Sequence, residues 1–335
     1  MKIGLIGAGR IGQLHGELIT YHIPGAEIKT VAELYADEVK EWAKQLRILN
    51  LTTDYSDILN DSEIEAVLIC SSTDTHAQLI IEAAKAGKHI FCEKPIDFNI
   101  EKIKQALNSV KEAGVKLQIG FNRRFDHNFK KVRELVESGK VGDVHIVKIT
   151  SRDPAPPPIE YLKVSGGIFL DMTIHDFDMA RYLSISEVEE VYTQGAVLID
   201  PAIGELGDVD TAIITLKFKN GAMGVIDNSR QAVYGYDQRV EVFGSKGYAA
   251  VKNDVPNSAE LNTVEGVISD KPHHFFLERY KMSYIEELKA FVDAVINDKE
   301  TPVTGNDGLQ PVLIGVAALK SLKEKRPVTV KGVRS

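Results

Sequence analysis

The stretch Ile3-Gly4-Leu5-Ile6-Gly7-Ala8-Gly9-Arg10-Ile11-Gly12 decides how the first half of this chain folds. An apolar run ends in a G-x-G-x-x-G pattern, and a helical pattern over residues 11–19 follows it. In that setting each glycine has a physical task. The first permits a tight turn, the second lets the backbone approach a pyrophosphate, and the third lets helix and strand pack closely. The opening turn of the helix, at Arg10 and Ile11, adds unpaired N–H groups and a partial positive charge. Glycine-rich turns also arise for structural reasons alone. What favours a dinucleotide is an acid about 20 residues further on, and Glu33 stands there, after an apolar run over 28–32. A carboxylate at that point can accept hydrogen bonds from both adenosine ribose hydroxyls and would repel a 2′-phosphate. Leu34 and Tyr35 bring no arginine to neutralise one, so NAD is expected rather than NADP. Two alternatives stay open: FAD uses the same fingerprint, and Glu33 could be a solvated strand-end residue.

The rest of the first 120 residues repeats the same alternation. Strand-like runs at 66–70, 89–92 and 116–120 are separated by helical patterns at 36–46, 75–86 and 100–112. Gly87 and Gly114 sit where helix C-cap glycines belong. Strands alternating with helices imply right-handed crossovers and a doubly wound parallel sheet, a Rossmann domain over 1–122. The remainder, 123–335, has a different rhythm. A helix at 129–138 leads to a strand at 144–150, a proline-rich loop at 153–158 and a helical segment near 170–183. Strand-like runs follow at 188–196, 210–218, 222–228 and 238–243, with turn signals at 219–221 and 244–247. Short connections imply an open, mainly antiparallel sheet, giving an α/β second domain. Helices at 283–297 and 308–324 close the chain, the terminal one a candidate to pack back on the first domain.

Composition narrows the class of partner. The 335 residues are 44% hydrophobic and 26% charged, an ordinary globular balance, with a net charge of -8. A polyanion binder should be basic, so nucleic acid is not expected. No apolar run approaches the roughly 20 residues of a membrane span. No charged leader and apolar h-region open the sequence, so a cytoplasmic protein is expected. Two cysteines, Cys70 and Cys92, cannot build a disulfide framework or a cysteine-rich zinc site.

Two further segments carry groups able to do chemistry. Glu93-Lys94-Pro95 follows a strand, which puts Lys94 at the carboxyl edge of the sheet, where open α/β sheets bind ligands. A solvated surface lysine is the plain alternative. Gly166-Gly167-Ile168-Phe169-Leu170-Asp171-Met172-Thr173-Ile174-His175-Asp176-Phe177-Asp178 is the second. On one continuous helix Asp171 and His175 would share a face, with Asp178 three residues on. A carboxylate beside an imidazole fixes its tautomer and raises its basicity, as a general base needs. A structural histidine or a surface ion pair would use the same residues. No HExxH pattern or cysteine partner supports a metal here, and none is expected.

These segments, in this order and separation, are the ones by which the chain resembles the glucose–fructose oxidoreductase and inositol dehydrogenase family over essentially its whole length. The resemblance implies an NAD(P)-dependent sugar or polyol oxidoreductase in which Lys94, Asp171 and His175 form the catalytic group. It also implies that residues 7–12, Glu93 and Lys94 serve the cofactor. Glu33 departs from the family pattern, where many members carry Asp. Gly120-Phe121-Asn122-Arg123-Arg124-Phe125-Asp126 and Ser151-Arg152-Asp153-Pro154-Ala155-Pro156-Pro157-Pro158 are similar to bacterial inositol 2-dehydrogenases in particular. That likeness places Arg123 and Asp153 near a substrate, with Asp178 accepting from substrate hydroxyls. The implied reaction is oxidation of a cyclitol, myo-inositol to its 2-keto form, by a homotetramer. Other readings remain at this stage: Arg123 or Arg124 could merely pair with Asp126, and the proline run could be a rigid spacer. Tyr234 and Tyr236 could close over a sugar ring or simply lie on the sheet. A sugar or sugar-acid dehydrogenase, an NAD-using glycosidase and a non-catalytic NAD-binding regulator are the rival functions.

Overall fold

The computed structural model describes residues 1–333. In chain order its first elements are β1 (Lys2–Ile6), α1 (Arg10–His22), β2 (Glu27–Ala32), α2 (Ala36–Gln45), β3 (Asn50–Thr52), α3 (Ser56–Asn60), β4 (Ala66–Ile69), α4 (Thr73–Lys85), β5 (His89–Glu93), α5 (Ile100–Ala113) and β6 (Leu117–Gly120). There follow α6 (His127–Glu137), β7 (Val144–Arg152), α7 (Ile159–Leu162), α8 (Gly167–Asp171), α9 (Ile174–Ser184), β8 (Val188–Ala196), α10 (Pro201–Glu205), β9 (Thr211–Phe218), β10 (Met223–Ser229), β11 (Asp237–Gly244) and β12 (Gly247–Val251). The chain closes with β13 (Glu260–Thr263), β14 (Gly266–Ser269), α11 (Phe276–Arg279), α12 (Lys281–Ile296), α13 (Gly305–Glu324) and β15 (Val328–Thr329). Two compact units result. Among the described residues, one comprises Met1–Asn122 with Met282–Val312, the other Arg123–Lys281 with 313–333. From sequence, 123–335 is expected as a second domain, with the terminal helix a candidate to pack on the first. Residues 282–312 instead belong to the first unit, because apolar side chains of α12 complete its core.

In the first unit a parallel sheet runs in the order β3-β2-β1-β4-β5-β6. The order reverses between β1 and β4, so their carboxyl ends border the crevice where such sheets take ligands. Ala66, Val67, Leu68 and Ile69 of β4 are all fully buried. A parallel strand covered on both faces needs that unbroken apolar run, and each such side chain contributes about 1.5–3 kcal/mol on burial. Phe91 of β5 meets Phe291 of α12 edge-on at 5.8 Å, which ties the late helix to this sheet. Asn99 caps α5 by accepting from the Glu101 and Lys102 N–H groups, and Gly114 ends it in the left-handed conformation (φ 67°). β3 and α3 were not anticipated. Three and five residues are too few to display a period.

The second unit holds a seven-stranded sheet in the order β12-β11-β7-β10-β9-β8-β15. Its pairs are antiparallel except β7 with β10, which run parallel. The sheet is therefore mixed and mainly antiparallel. β13 and β14 form a separate exposed hairpin. The expected helix over 170–183 is two helices, α8 and α9, with Met172 and Thr173 between them. No helix among the described residues is long and apolar enough to cross a membrane.

Candidate active site

The glycine loop of the first unit has the three features read from its sequence. Gly7 has φ +88°, and a Cβ there would stand 2.6 Å from the Ser71 backbone. A Cβ on Gly12 would fall 2.0 Å from the Gly7 carbonyl oxygen, so only glycine lets α1 start this close to β1. At Gly9 nothing lies within 4 Å of where a Cβ would be. The backbone there faces free space at the start of α1, the opening a pyrophosphate needs. Glu33, directly after β2, reaches across this loop. Its Oε2 accepts from the Ala8 N–H at 2.7 Å and its Oε1 from the Tyr35 N–H at 3.2 Å. A carboxylate has about four acceptor positions, so capacity remains for ribose hydroxyls. The residues present fit a dinucleotide.

Lys94 follows β5 directly and is half-buried. The loop that carries it is held from two sides. Its own N–H donates to Glu93 Oε2 at 3.3 Å, and the buried His76 of α4 binds the Pro95 carbonyl at 2.8 Å and the Ser71 carbonyl at 3.0 Å. The Glu93 carboxylate lies against Gly120, where a Cβ would come within 3.0 Å of it. Cys70 and Cys92 lie beside Glu93; burial, then neighbouring acids, push both thiols well above their ordinary range. They stay protonated and are poor nucleophiles.

The second unit holds the other acids. Gly166 and Gly167 both have positive φ (84° and 77°), a backbone path open to glycine, and lead into α8. The Ile168 N–H donates to Asp208, whose carboxylate lies 3.0 Å from where a Gly167 Cβ would stand. Asp171 ends α8 and His175 is the second residue of α9. They are thus not on one continuous helix, as expected from spacing, but on two helices separated by a two-residue turn. Asp171 is gripped by two residues that no motif or spacing selects. Tyr161 donates to its Oδ1 at 2.7 Å, and the fully buried Arg230 approaches its Oδ2 at 3.3 Å.

Asp153 stands in the field of Arg230, Asp171, Arg123 and Asp176, and burial pushes its carboxyl up to about 6. Arg123 is buried and donates to Asp176 at 2.6 Å and to Tyr236 Oη at 3.3 Å. It does not pair with Asp126, which binds Arg279 at 2.5 Å. Asp176 also accepts from Asn228 at 2.9 Å. Asp178, expected to accept from substrate hydroxyls, is engaged within the second unit. It is buried, and both its oxygens accept from Arg124, at 2.8 and 2.6 Å. Tyr234, partly exposed, accepts from Arg152 and donates to Asp237 at 2.6 Å. Arg230, Tyr161, Asp176 and Asn228 escaped sequence reasoning because nothing local marks them. Their partners lie 10 to 59 residues away.

Comparison with known proteins fits this arrangement. Residues 1–121 match the profile described as "Oxidoreductase family, NAD-binding Rossmann fold", and residues 129–250 match the "GFO/IDH/MocA C-terminal domain". The chain belongs to the GFO/IDH/MocA oxidoreductase family. It is an oxidoreductase with an NAD-binding domain, which removes the FAD alternative. An uncharacterized oxidoreductase of Bacillus subtilis is 56% identical over 98% of this chain and 96% of its own. A myo-inositol 2-dehydrogenase of Thermotoga maritima is 50% identical over 99% of each chain. Among solved structures, a scyllo-inositol dehydrogenase of Lactobacillus casei with bound NAD(H) and scyllo-inositol superposes with a TM-score of 0.92. It is 30% identical, over 98% of this chain and 99% of its own.

Proposed function

We propose that this protein oxidises myo-inositol at one secondary alcohol, giving the 2-keto product, with NAD as hydride acceptor. The observation that carries the reading is its full-length 50% identity with a myo-inositol 2-dehydrogenase. The inventory of the second unit is consistent with it. A cyclitol is a ring of uncharged hydroxyls, and carboxylates can accept from two hydroxyls each. Asp153 and Asp171 are the two half-buried carboxylates assigned to that task.

When bound, NAD supplies an electrophilic ring that accepts hydride from the carbinol carbon. The chain must then take the hydroxyl proton. We assign that step to His175: the O–H bond breaks, the proton goes to the imidazole, and the C–O bond becomes a carbonyl as hydride leaves. Asp171, fixed by Tyr161 and Arg230, stabilises the protonated imidazole. Lys94 donates a hydrogen bond to the reacting oxygen and offsets the negative charge developing on it. Residues 7–12 with Glu33 hold the pyrophosphate and adenosine ribose, and Glu93 shares the cofactor role with Lys94. Arg123 supports the substrate pocket through Asp176 and Tyr236.

The uncovered face of the second unit's sheet carries Ile213, Met223, Phe243 and Tyr248, all exposed in the single chain. Faces of that kind are commonly buried between subunits, which supports a homotetramer; a cytoplasmic location accompanies the reading. Purified protein should be given NAD with myo-inositol, scyllo-inositol, an aldonate and a uronate in turn. NADH accumulation fastest with myo-inositol is expected. No NADH from it while another compound is turned over would reassign the substrate.

A further inference from the structure

Wholly within the first unit, two side chains that the proposed reaction does not use meet the carboxylate of Glu93. His15 of α1, Glu93 of β5 and Glu287 of α12 each present a polar atom within 4.8 Å of the others. His15 and Glu287 are fully buried. His15 Nε2 lies 2.7 Å from Glu93 Oε1, while its Nδ1 has no hydrogen-bond partner. The tautomer that leaves no buried N–H unsatisfied carries its proton on Nε2 and donates to Glu93. The ring is wedged edge-on between Phe91 (5.2 Å) and Tyr284 (5.7 Å), so it cannot swing away. On α12 both oxygens of Glu287 are buried without a hydrogen-bond partner.

An ionised carboxylate in that position, unpaired and facing a second carboxylate, would cost several kcal/mol. A neutral carboxylic acid removes the charge and supplies a donor toward Glu93, the natural acceptor. We propose that His15 and Glu287 are positioning residues for Glu93, with Glu287 acting as an uncharged donor that keeps the Glu93 carboxylate, and the backbone leading to Lys94, in the geometry that receives the cofactor. This rests on the assignment of Glu93 and Lys94 to the cofactor, and it adds a helix more than 190 residues downstream in sequence to that task. Burial first, and the Glu93 charge second, push the Glu287 carboxyl well above the carboxylate range, in keeping with the neutral form. The titratable groups around the cluster are Glu93 and Cys92 from β5, His15 from α1, Cys70 beyond β4 and Tyr284 on α12 itself. Both thiols are held protonated, so Glu93 is the charge that Glu287 answers.

The test compares wild type with Glu287→Gln and Glu287→Leu by NADH fluorescence titration, with melting temperatures recorded alongside. The amide keeps an uncharged donor, so Glu287→Gln should bind NADH within about twofold of wild type, while Glu287→Leu should bind at least about tenfold more weakly. Leucine binding as well as wild type would overturn the positioning role. Glutamine failing as badly as leucine would overturn the neutral donor. An infrared difference spectrum of wild type minus Glu287→Gln at about pH 8, where ordinary carboxyls are ionised, should contain a protonated-carboxyl carbonyl band. Its absence would also overturn the proposal, and this readout holds even if the leucine variant does not fold. No polyol is present in either measurement, so failure of the inositol assignment would leave both results standing.

Discussion

The glycine loop of the first unit and the acid-rich segment 171–178 of the second are built on different plans. In the loop, function is carried by backbone. Gly7 turns, Gly9 opens and Gly12 packs, and all three lie within one six-residue stretch. In the acid-rich segment, the proposed chemistry rests on side chains whose surroundings are set from far away. Asp171 is held by Arg230, Asp176 by Arg123 and Asp178 by Arg124, partners 53 to 59 residues off. A local motif therefore suffices for the first region. For the second it gives the residue types without telling which acid is committed to an internal arginine.

The largest expected effect separates chemistry from cofactor binding. His175→Ala should lower kcat by about 10²–10⁴-fold while leaving the NAD dissociation constant close to wild type, whereas Lys94→Ala, which touches both substrate and cofactor, should lower kcat as far and weaken NAD binding as well. A His175→Ala enzyme that keeps half its kcat would require another base. Next comes the distinction among the acids. Asp178→Ala removes the buried carboxylate to which Arg124 donates twice, and breaking such a pair typically costs about 3–5 kcal/mol. It should appear in the denaturation midpoint, with KM for the polyol little altered in the protein that remains folded. A selective rise in KM at unchanged stability would return Asp178 to the substrate.

Glu33→Ser probes the first region. Wild type should prefer NAD over NADP by at least about tenfold, roughly 1.4 kcal/mol, and the serine variant should narrow that gap. Equal kcat/KM for both cofactors in wild type would remove Glu33 from discrimination.

The smallest effect concerns Asp153, whose carboxyl is raised to about 6 by burial. A raised carboxyl is a stability cost at high pH that fades as the pH falls through that value and the group protonates. Asp153→Asn should therefore raise the melting temperature at about pH 8 more than at about pH 5. If the carboxylate accepts substrate hydroxyls, KM in wild type should also climb as the pH drops below 6, and the asparagine variant should lose that climb.

The same contrast explains what could be read from sequence. The Rossmann half, its strands and its glycine loop were legible because period and motif are local. The mixed second sheet was legible where a short turn joins antiparallel neighbours, as between β9 and β10, but not in the parallel pairing of β7 with β10, whose first pair, Ile146 and Met223, lies 77 residues apart. The break between α8 and α9 was hidden because Met172 and Thr173 keep helical dihedrals or nearly so while the hydrogen-bond ladder shifts. Only the terminal helix was a candidate to return to the first unit; α12 gave no sign of doing so, since an apolar helix face does not name its partner. His15 and Glu287 were invisible for the same reason, although His15 lies one turn beyond Gly12 in the motif itself.

The central claim is that hydride passes directly from one carbinol carbon of the polyol to NAD. Its most direct test uses myo-inositol carrying deuterium at carbon 2, with mass analysis of the reduced nucleotide. Deuterium in the reduced nicotinamide ring, in step with formation of the 2-keto product, is the predicted result. Unlabelled NADH, or deuterium retained by the product, would contradict the account.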